Sequence, residues 1–194
     1  LIFPIYSVCF SLCASGIETA ISKLTAEKYA VGKPAEASGV LRTGLFLTLT
    51  LSVSCSLLIY NYAEVLAEVF LKESRCAGLL RILSVTIPFG TAQSCICGYY
   101  FGVHKAGVPA CAQLIEQGFR IGCVFFLFHL YQRNGMNISP AIAVIGLVFG
   151  EVCALLFTIT CFSFQPKSRV SIPFTKAFSN LKEILTLAAP LTVS

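Results

Sequence analysis

Five apolar runs of about 20 residues, separated by short charged segments, limit what this sequence can fold into. A run of this length crosses a hydrocarbon core roughly 30 Å thick when it is helical. The predicted fold is therefore an all-α, polytopic transmembrane helix bundle. The spans cover 1–22, 43–62, 79–103, 108–131 and 140–164, and a sixth begins at Ile184.

The composition supports a membrane protein. Apolar residues make up 56% of the chain and charged residues only 12%, whereas a soluble chain carries about 25% charged residues. Cysteine is abundant but does not indicate a disulfide framework, because inside an apolar run it acts as a small hydrophobic residue. Nine of the ten cysteines lie in such runs: Cys9, Cys13, Cys55, Cys95, Cys97, Cys111, Cys123, Cys153 and Cys161.

Basic residues are distributed unevenly between the loops. The first, third and fifth loops carry nine Lys and Arg residues, and the second and fourth carry three. Because cytoplasmic loops are rich in Lys and Arg, loops 23–42, 103–108 and 165–183 are predicted to be cytoplasmic. The same rule accounts for the net charge of +5 without a nucleic-acid partner.

Both ends of the sequence are expected to be cut from a longer chain. Leu1 is not Met and already lies in an apolar run, and 185–194 has the character of a span that is beginning. With the predicted orientation Leu1 lies at the outer face. A cytoplasmic N-terminus then needs an odd number of preceding spans, most simply one. The alternative of a signal peptide over 1–16 lacks the required basic n-region.

Two loops contain apolar residues among basic ones. Loop 23–42 is either a short interfacial helix broken near Gly32 and Pro34 or a solvated connector, and loop 165–183 is either an amphipathic helix on the cytoplasmic leaflet or a connector. Three consecutive spans also carry a Gly-xxx-Gly pair, a spacing that lets a neighbouring helix approach closely. The pairs are Gly98/Gly102, Gly118/Gly122 and Gly146/Gly150.

Ionisable residues inside spans are candidate functional residues, because a charge at the bilayer centre costs roughly 2.5–3.5 kcal/mol on insertion scales. Glu116 and Arg120 are four residues apart on one helix face, where they form either a structural ion pair or part of a polar cavity. Glu151 lies mid-span, either as a proton-coupling group or as a hydrogen-bonded packing residue. It is expected to be protonated or paired with another helix.

Other charged residues lie near span ends, where long side chains reach water cheaply. Glu18 with Lys23, and Arg81, permit this interpretation. No cofactor is expected. Cys95, Cys97 and His104 lack further ligands at a sensible spacing for a metal. The sequence also contains no Asp, which disfavours Asp-dependent glycosyl transfer or an aspartyl-phosphate pump within this stretch.

Three stretches resemble one family. They are Gly16-Ile-Glu-Thr-Ala-Ile-Ser-Lys-Leu-Thr-Ala-Glu27, the segment from Leu80-Arg-Ile-Leu to Gly98-Tyr-Tyr-Phe-Gly102, and Pro109 through Gln113-Leu-Ile-Glu-Gln-Gly-Phe-Arg120. Together they are similar to the polysaccharide-export and sporulation branch of the multidrug/oligosaccharidyl-lipid/polysaccharide (MOP) superfamily, whose relatives include lipid II flippases. In this chain Glu18 stands where relatives often have Pro.

The resemblance implies a MATE-like fold of two six-helix lobes around a central cavity. Residues 1–183 would supply transmembrane helices 2–6 of the N-terminal lobe, and 184–194 the start of helix 7. It implies a transporter that flips lipid-linked sugar intermediates across the cytoplasmic membrane by alternating access, with membrane lipids around it and H⁺ or Na⁺ as a coupling ion. Lys23, Arg81 and Arg120 are then candidates to attract pyrophosphate, and Glu116 and Glu151 to couple an ion.

Two alternatives remain open from the residues. A cation-coupled multidrug exporter of the same superfamily is favoured by acidic cavity residues without basic neighbours, as at Glu151. A membrane-embedded glycosyltransferase or polymerase needs a catalytic cluster in a large loop, and every loop here is short.

Overall fold

The computed structural model describes residues 2–69, 76–133, 141–164 and 184, and every element within them is an α-helix. The helices are α1 (Ile2–Ala30), α2 (Pro34–Asn61), α3 (Ala63–Val69), α4 (Cys76–Gly102), α5 (Gly107–Arg133) and α6 (Ala141–Ser163). By length and apolar composition, α2, α5, α6 and the Ala77–Gly102 part of α4 qualify as membrane spans. The predicted helical membrane bundle is confirmed.

The first predicted loop is largely helical. α1 continues to Ala30 and α2 begins at Pro34, so only three residues connect them, with Gly32 at a positive φ of 74°. The predicted break near Gly32 and Pro34 is confirmed, but no separate interfacial helix forms. Several apolar residues of this segment, including Leu24 and Val40, are buried within the bundle, whereas Tyr29 and Val31 are exposed. Loop 165–183 and the span predicted beyond Ile184 lie outside the described residues.

α4 is the central helix and packs against α1, α2 and α6. A Cβ atom added to Gly98 would lie 2.7 Å from the carbonyl oxygen of Glu18, and one added to Gly102 would lie 2.6 Å from that of Ser22. The equal spacing on the two helices means that α1 and α4 run parallel. The turns at 31–33 and 103–106 therefore lie at the same end of the bundle.

α5 and α6 form a second closely packed pair. A Cβ atom at Gly150 would lie 2.8 Å from the carbonyl oxygen of Glu116, and one at Gly146 would lie 2.6 Å from the Val124 side chain. Because the order is reversed, this pair is antiparallel. Two of the three predicted glycine contacts are thus confirmed. The third differs, because a Cβ atom at Gly118 or Gly122 would meet no atom within 4 Å in the described part of the chain.

This difference between the glycines generates a stability prediction. Gly98→Ala is expected to lower the free energy of unfolding by about 1–3 kcal/mol relative to Gly118→Ala, because only the former forces a methyl group against a neighbouring backbone. Both changes gain the same helix propensity, so the difference between them isolates packing. Unfolding in detergent, followed by circular dichroism, measures it. Equal stability of the two variants would contradict the close α1–α4 contact.

Candidate functional site

A polar cavity of about 450 Å³ lies between α1, α4, α5 and α6. Its lining combines ionisable, amide, hydroxyl and apolar side chains from all four helices: Ser7, Phe10, Glu18, Gly90, Gln93, Ser94, Cys97, Phe101, Pro109, Gln113, Glu116, Arg120, Leu147 and Glu151. A groove of about 730 Å³ on the other side of α5 is larger, but it is lined by apolar residues and glycines such as Gly118, Phe126 and Phe149. The polar cavity is therefore the candidate site.

Helix packing explains why a cavity exists here. α5 lies along α6 but touches α4 only sparsely, although α4 and α5 are consecutive in the chain. The glycines of α6 draw α5 towards α6, and the space left between α4 and α5 is lined by polar side chains. Gln93 of α4 and Glu116 of α5 bridge this space, with Gln93 Nε2 donating to Glu116 Oε2 at 3.5 Å.

Glu116 and Arg120 form the ion pair predicted from their spacing. Arg120 Nη2 donates to Glu116 Oε1 at 2.5 Å, and Arg120 Nη1 reaches Gln117 Oε1 at 3.4 Å. Both charged side chains are largely but not fully buried, and both line the cavity. The sequence left open whether these residues form a structural ion pair or line a polar cavity. In the structure they do both, because they pair with each other and line the cavity.

Glu151 is 5% exposed and enters the cavity from α6. Its carboxylate lies directly against Gly90 of α4, where an added Cβ atom would come within 2.9 Å of Glu151 Oε2. Gly90 therefore provides the space that this carboxylate occupies. A larger residue at position 90 would force the Glu151 side chain to move.

Glu18 also lines the cavity, although its position near the end of a span suggested a side chain reaching for water. It accepts a hydrogen bond from Ser94 Oγ at 2.6 Å. A sequence signal for this placement exists. Ser94 lies four residues before Gly98, so it shares the face of α4 on which the glycines admit α1, and this face meets Glu18.

Two predicted site residues are not among the residues that line the cavity. Lys23 is exposed near the end of α1. Arg81 lies near the opposite end of the bundle, where its Nη2 is 2.8 Å from Glu64 Oε1 and its guanidinium lies 5.8 Å from the centre of the Tyr60 ring. An exposed pair of this kind contributes at most about 1 kcal/mol. The structure thus brings together Glu116, Arg120 and Glu151, adds Glu18, and separates Lys23 and Arg81 from them.

The described lining of the cavity carries three carboxyl side chains and one guanidinium. The guanidinium of Arg120 does not use all of its N–H donors. Its Nη1 and Nη2 atoms have hydrogen-bond partners, whereas its Nε atom is buried and has none in the described structure. No group of three or more His, Cys or Glu side chains within the described residues converges closely enough to hold a metal ion. The carboxyl groups that line the cavity can exchange protons, and the guanidinium of Arg120 can bind an anion.

Comparison with known proteins places the sequence in context. The family model MatE matches residues 1–126. Stage V sporulation protein B of Bacillus subtilis (strain 168) is 28% identical over 183 residues, which is 94% of this chain and 35% of the relative. The chain thus spans about a third of the length of this relative. No solved structure matches the chain.

Cysteine labelling at two neighbouring positions of α5, Gln113 and Leu114, tests whether water reaches the cavity. In the full-length parent protein with its reactive cysteines replaced, Gln113→Cys is expected to react with a charged methanethiosulfonate reagent, because Gln113 lines the cavity. Leu114→Cys is the matched control. Its side chain is 74% exposed but lies outside the cavity lining. We expect this position to face lipid, which a charged reagent does not enter, so the introduced cysteine is expected to stay unlabelled. Equal labelling of both positions, measured by mass shift in vesicles, would contradict the polar cavity.

Proposed function

This chain belongs to the MatE family, and from that premise we propose that it is part of a MOP-superfamily transporter that flips lipid-linked sugar intermediates across the cytoplasmic membrane. Residues 1–183 supply transmembrane helices 2–6 of the N-terminal lobe in this proposal, and 184–194 begin helix 7. The protein acts as a transporter by alternating access and not as an enzyme. The end of the bundle with the turns at 31–33 and 103–106 faces the cytoplasm, in keeping with its basic residues.

One observation supports this proposal above the others: Arg120 lines a polar cavity that α1 forms with α4, α5 and α6, and the last three of these helices have the length and composition of membrane spans. A guanidinium at membrane depth is costly unless it is paired; Glu116 pairs with Arg120 here, and the buried Nε atom of Arg120 still has no hydrogen-bond partner in the described structure. Lipid-linked sugars carry phosphate groups at the junction between headgroup and hydrocarbon chain. The planar fork of Arg binds phosphate oxygens through two parallel hydrogen bonds.

The arrangement of the cavity fits a substrate that is partly polar and partly apolar. Gln93, Ser94 and Gln113 offer hydrogen-bonding groups to a sugar headgroup, while Phe10, Phe101 and Leu147 border the same space. The headgroup then occupies the cavity and the hydrocarbon chain stays in the membrane. Glu116 and Glu151 are the groups on which an H⁺ or Na⁺ gradient acts in this proposal.

A second candidate function, cation-coupled export of a drug-like cation, is favoured by a different observation. The described cavity lining holds Glu18, Glu116 and Glu151 but only one basic side chain, which suits a cationic substrate. The two candidates differ in the sign of the substrate charge. Efflux of a cationic dye from cells that express the full-length parent protein separates them, since a lipid-linked sugar flippase is expected to confer none.

The role of Arg120 is tested in the full-length parent protein, in cells depleted of their own lipid II flippase. Wild type is expected to restore the fraction of labelled lipid-linked precursor that is accessible at the outer leaflet, and Arg120→Ala to lower the rate about 10- to 100-fold. This range corresponds to the loss of a charged hydrogen bond worth about 1.5–3 kcal/mol. Arg120→Lys keeps the charge but loses the fork, so an intermediate rate is expected.

Arg81→Ala is the matched control, because it removes the same side chain from the exposed pair with Glu64. Its rate is expected to equal that of wild type. If Arg81→Ala and Arg120→Ala have equal rates, Arg120 is only a structural partner of Glu116. If wild type restores nothing, lipid II is not its substrate.

A further inference from the structure

The cation assigned to substrate binding is already held by a carboxylate of the protein itself. Arg120 Nη2 donates to Glu116 Oε1 at 2.5 Å, and the side chains lie one turn apart on α5. Gln93 of α4 donates to the second oxygen of the same carboxylate at 3.5 Å. A phosphate that binds Arg120 through a bidentate fork must therefore compete with Glu116 for the guanidinium.

The surroundings of Glu116 make it unfavourable for its carboxylate to remain charged after it has lost its contact with Arg120. Glu18 of α1 and Glu151 of α6 line the same cavity, as does the Cys97 thiol of α4. Among the described lining residues Arg120 carries the only cationic group, and an incoming phosphate adds negative charge beside it. In a medium of low dielectric constant an anionic carboxylate that has lost its cation is strongly disfavoured, and taking up a proton removes its charge.

On this basis, and resting on the proposed function, we propose that Glu116 is an internal competitor for Arg120 that couples substrate binding to proton uptake. The phosphate of the lipid-linked substrate takes the guanidinium, and the displaced Glu116 carboxylate accepts one proton that the buffered bulk solvent supplies. When the substrate leaves, Glu116 releases this proton and pairs with Arg120 again. One proton is thus bound for each phosphate-bearing lipid.

The geometry explains why Glu116 has this role and not a neighbouring carboxylate. Glu116 and Arg120 are on the same helix, so a change of rotamer is enough to make or break their contact. Glu18, in contrast, is held by Ser94 at 2.6 Å. Glu116 also has a role when the transporter returns to its starting conformation without substrate. In that step Glu116 pairs with Arg120, so the guanidinium is not left as an unpaired charge in the membrane.

Calorimetry with the purified full-length parent protein tests this coupling. The protein is placed in nanodiscs of phosphatidylcholine and titrated with a polyprenyl diphosphate in phosphate-free buffers of low and high ionisation enthalpy. The dependence of the binding heat on the buffer gives the number of protons taken up. For wild type, about one proton per ligand is expected at pH values where Glu116 is ionised in the free protein and protonated in the complex. Because the complex holds one more proton than the free protein, affinity falls by up to about tenfold for each unit of rise in pH.

Glu116→Gln is expected to bind the diphosphate more tightly than wild type, because no carboxylate then competes for Arg120. Its binding is expected to take up no proton, so its affinity should depend little on pH. Glu64→Gln changes a carboxyl group outside the cavity lining and is the control that is expected to keep the uptake. Glu151→Gln tests whether the other carboxyl group of the α5–α6 pair takes up the proton instead. Glu116→Asp keeps a titratable group in the same place and is expected to retain it as well. Thermal unfolding of each variant checks that the fold is intact, and Glu116→Asp serves if Glu116→Gln is not stable.

The outcomes separate this inference from the proposed function. If Arg120→Ala abolishes binding while Glu116→Gln takes up the same number of protons as wild type, the coupling through Glu116 is wrong and the proposed anion site stands. Loss of the uptake in Glu151→Gln instead would assign the proton to Glu151 and would also overturn the inference. If Arg120→Ala binds the diphosphate like wild type, both the site and the coupling are wrong.

Discussion

The high cost of an uncompensated charge in hydrocarbon is the constraint on which the rest of this structure depends. It accounts for the meeting of Glu116, Arg120 and Glu151 with Glu18 in one cavity, whereas Arg81 pairs with Glu64 near one end of the bundle. The carboxylates come from three different helices, and each meets a residue of α4 between positions 90 and 94. Gly90 makes room for Glu151, Gln93 donates to Glu116, and Ser94 donates to Glu18. One turn of α4 thus organises the polar interior of the bundle.

The glycine contacts between helices determine where the polar cavity lies. Lipid is as apolar as the helix surfaces, so close approach of backbones, and not burial from water, brings spanning helices together. Gly98 and Gly102 bind α4 to α1, while Gly146 and Gly150 bind α6 to α5. Within the part of the chain that the structure describes, no comparable glycine contact joins α4 to α5. The bundle therefore contains two pairs held by glycine contacts, with α2 packed on α1 and α4, and polar side chains collect in the space between α4 and α5.

Sequence reasoning predicted the framework well because span length, glycine spacing and loop charge are local properties. α5 and α6 begin and end within two residues of the predicted spans, and the pairing of Glu116 with Arg120 follows from their i, i+4 spacing alone. The placement of Glu18 was not predicted, because it depends on α4, a helix about 75 residues later in the chain. Gly118 and Gly122 carry the same pattern as the other pairs yet face an open groove, since a pattern does not say which helix will lie opposite.

The two helix pairs also place the carboxylates on different bodies. Glu18 belongs to the α1–α4 pair, whereas Glu116 and Glu151 belong to the α5–α6 pair. A relative shift of the pairs changes the distance from Glu18 to Glu116 and lengthens the Gln93–Glu116 contact without disturbing any glycine contact within a pair. The Glu116–Arg120 pair, by contrast, lies within α5 and is unaffected by such a shift. Its breaking therefore requires a competing anion or a proton, which makes it a chemical step that can be controlled separately from movement of the helices.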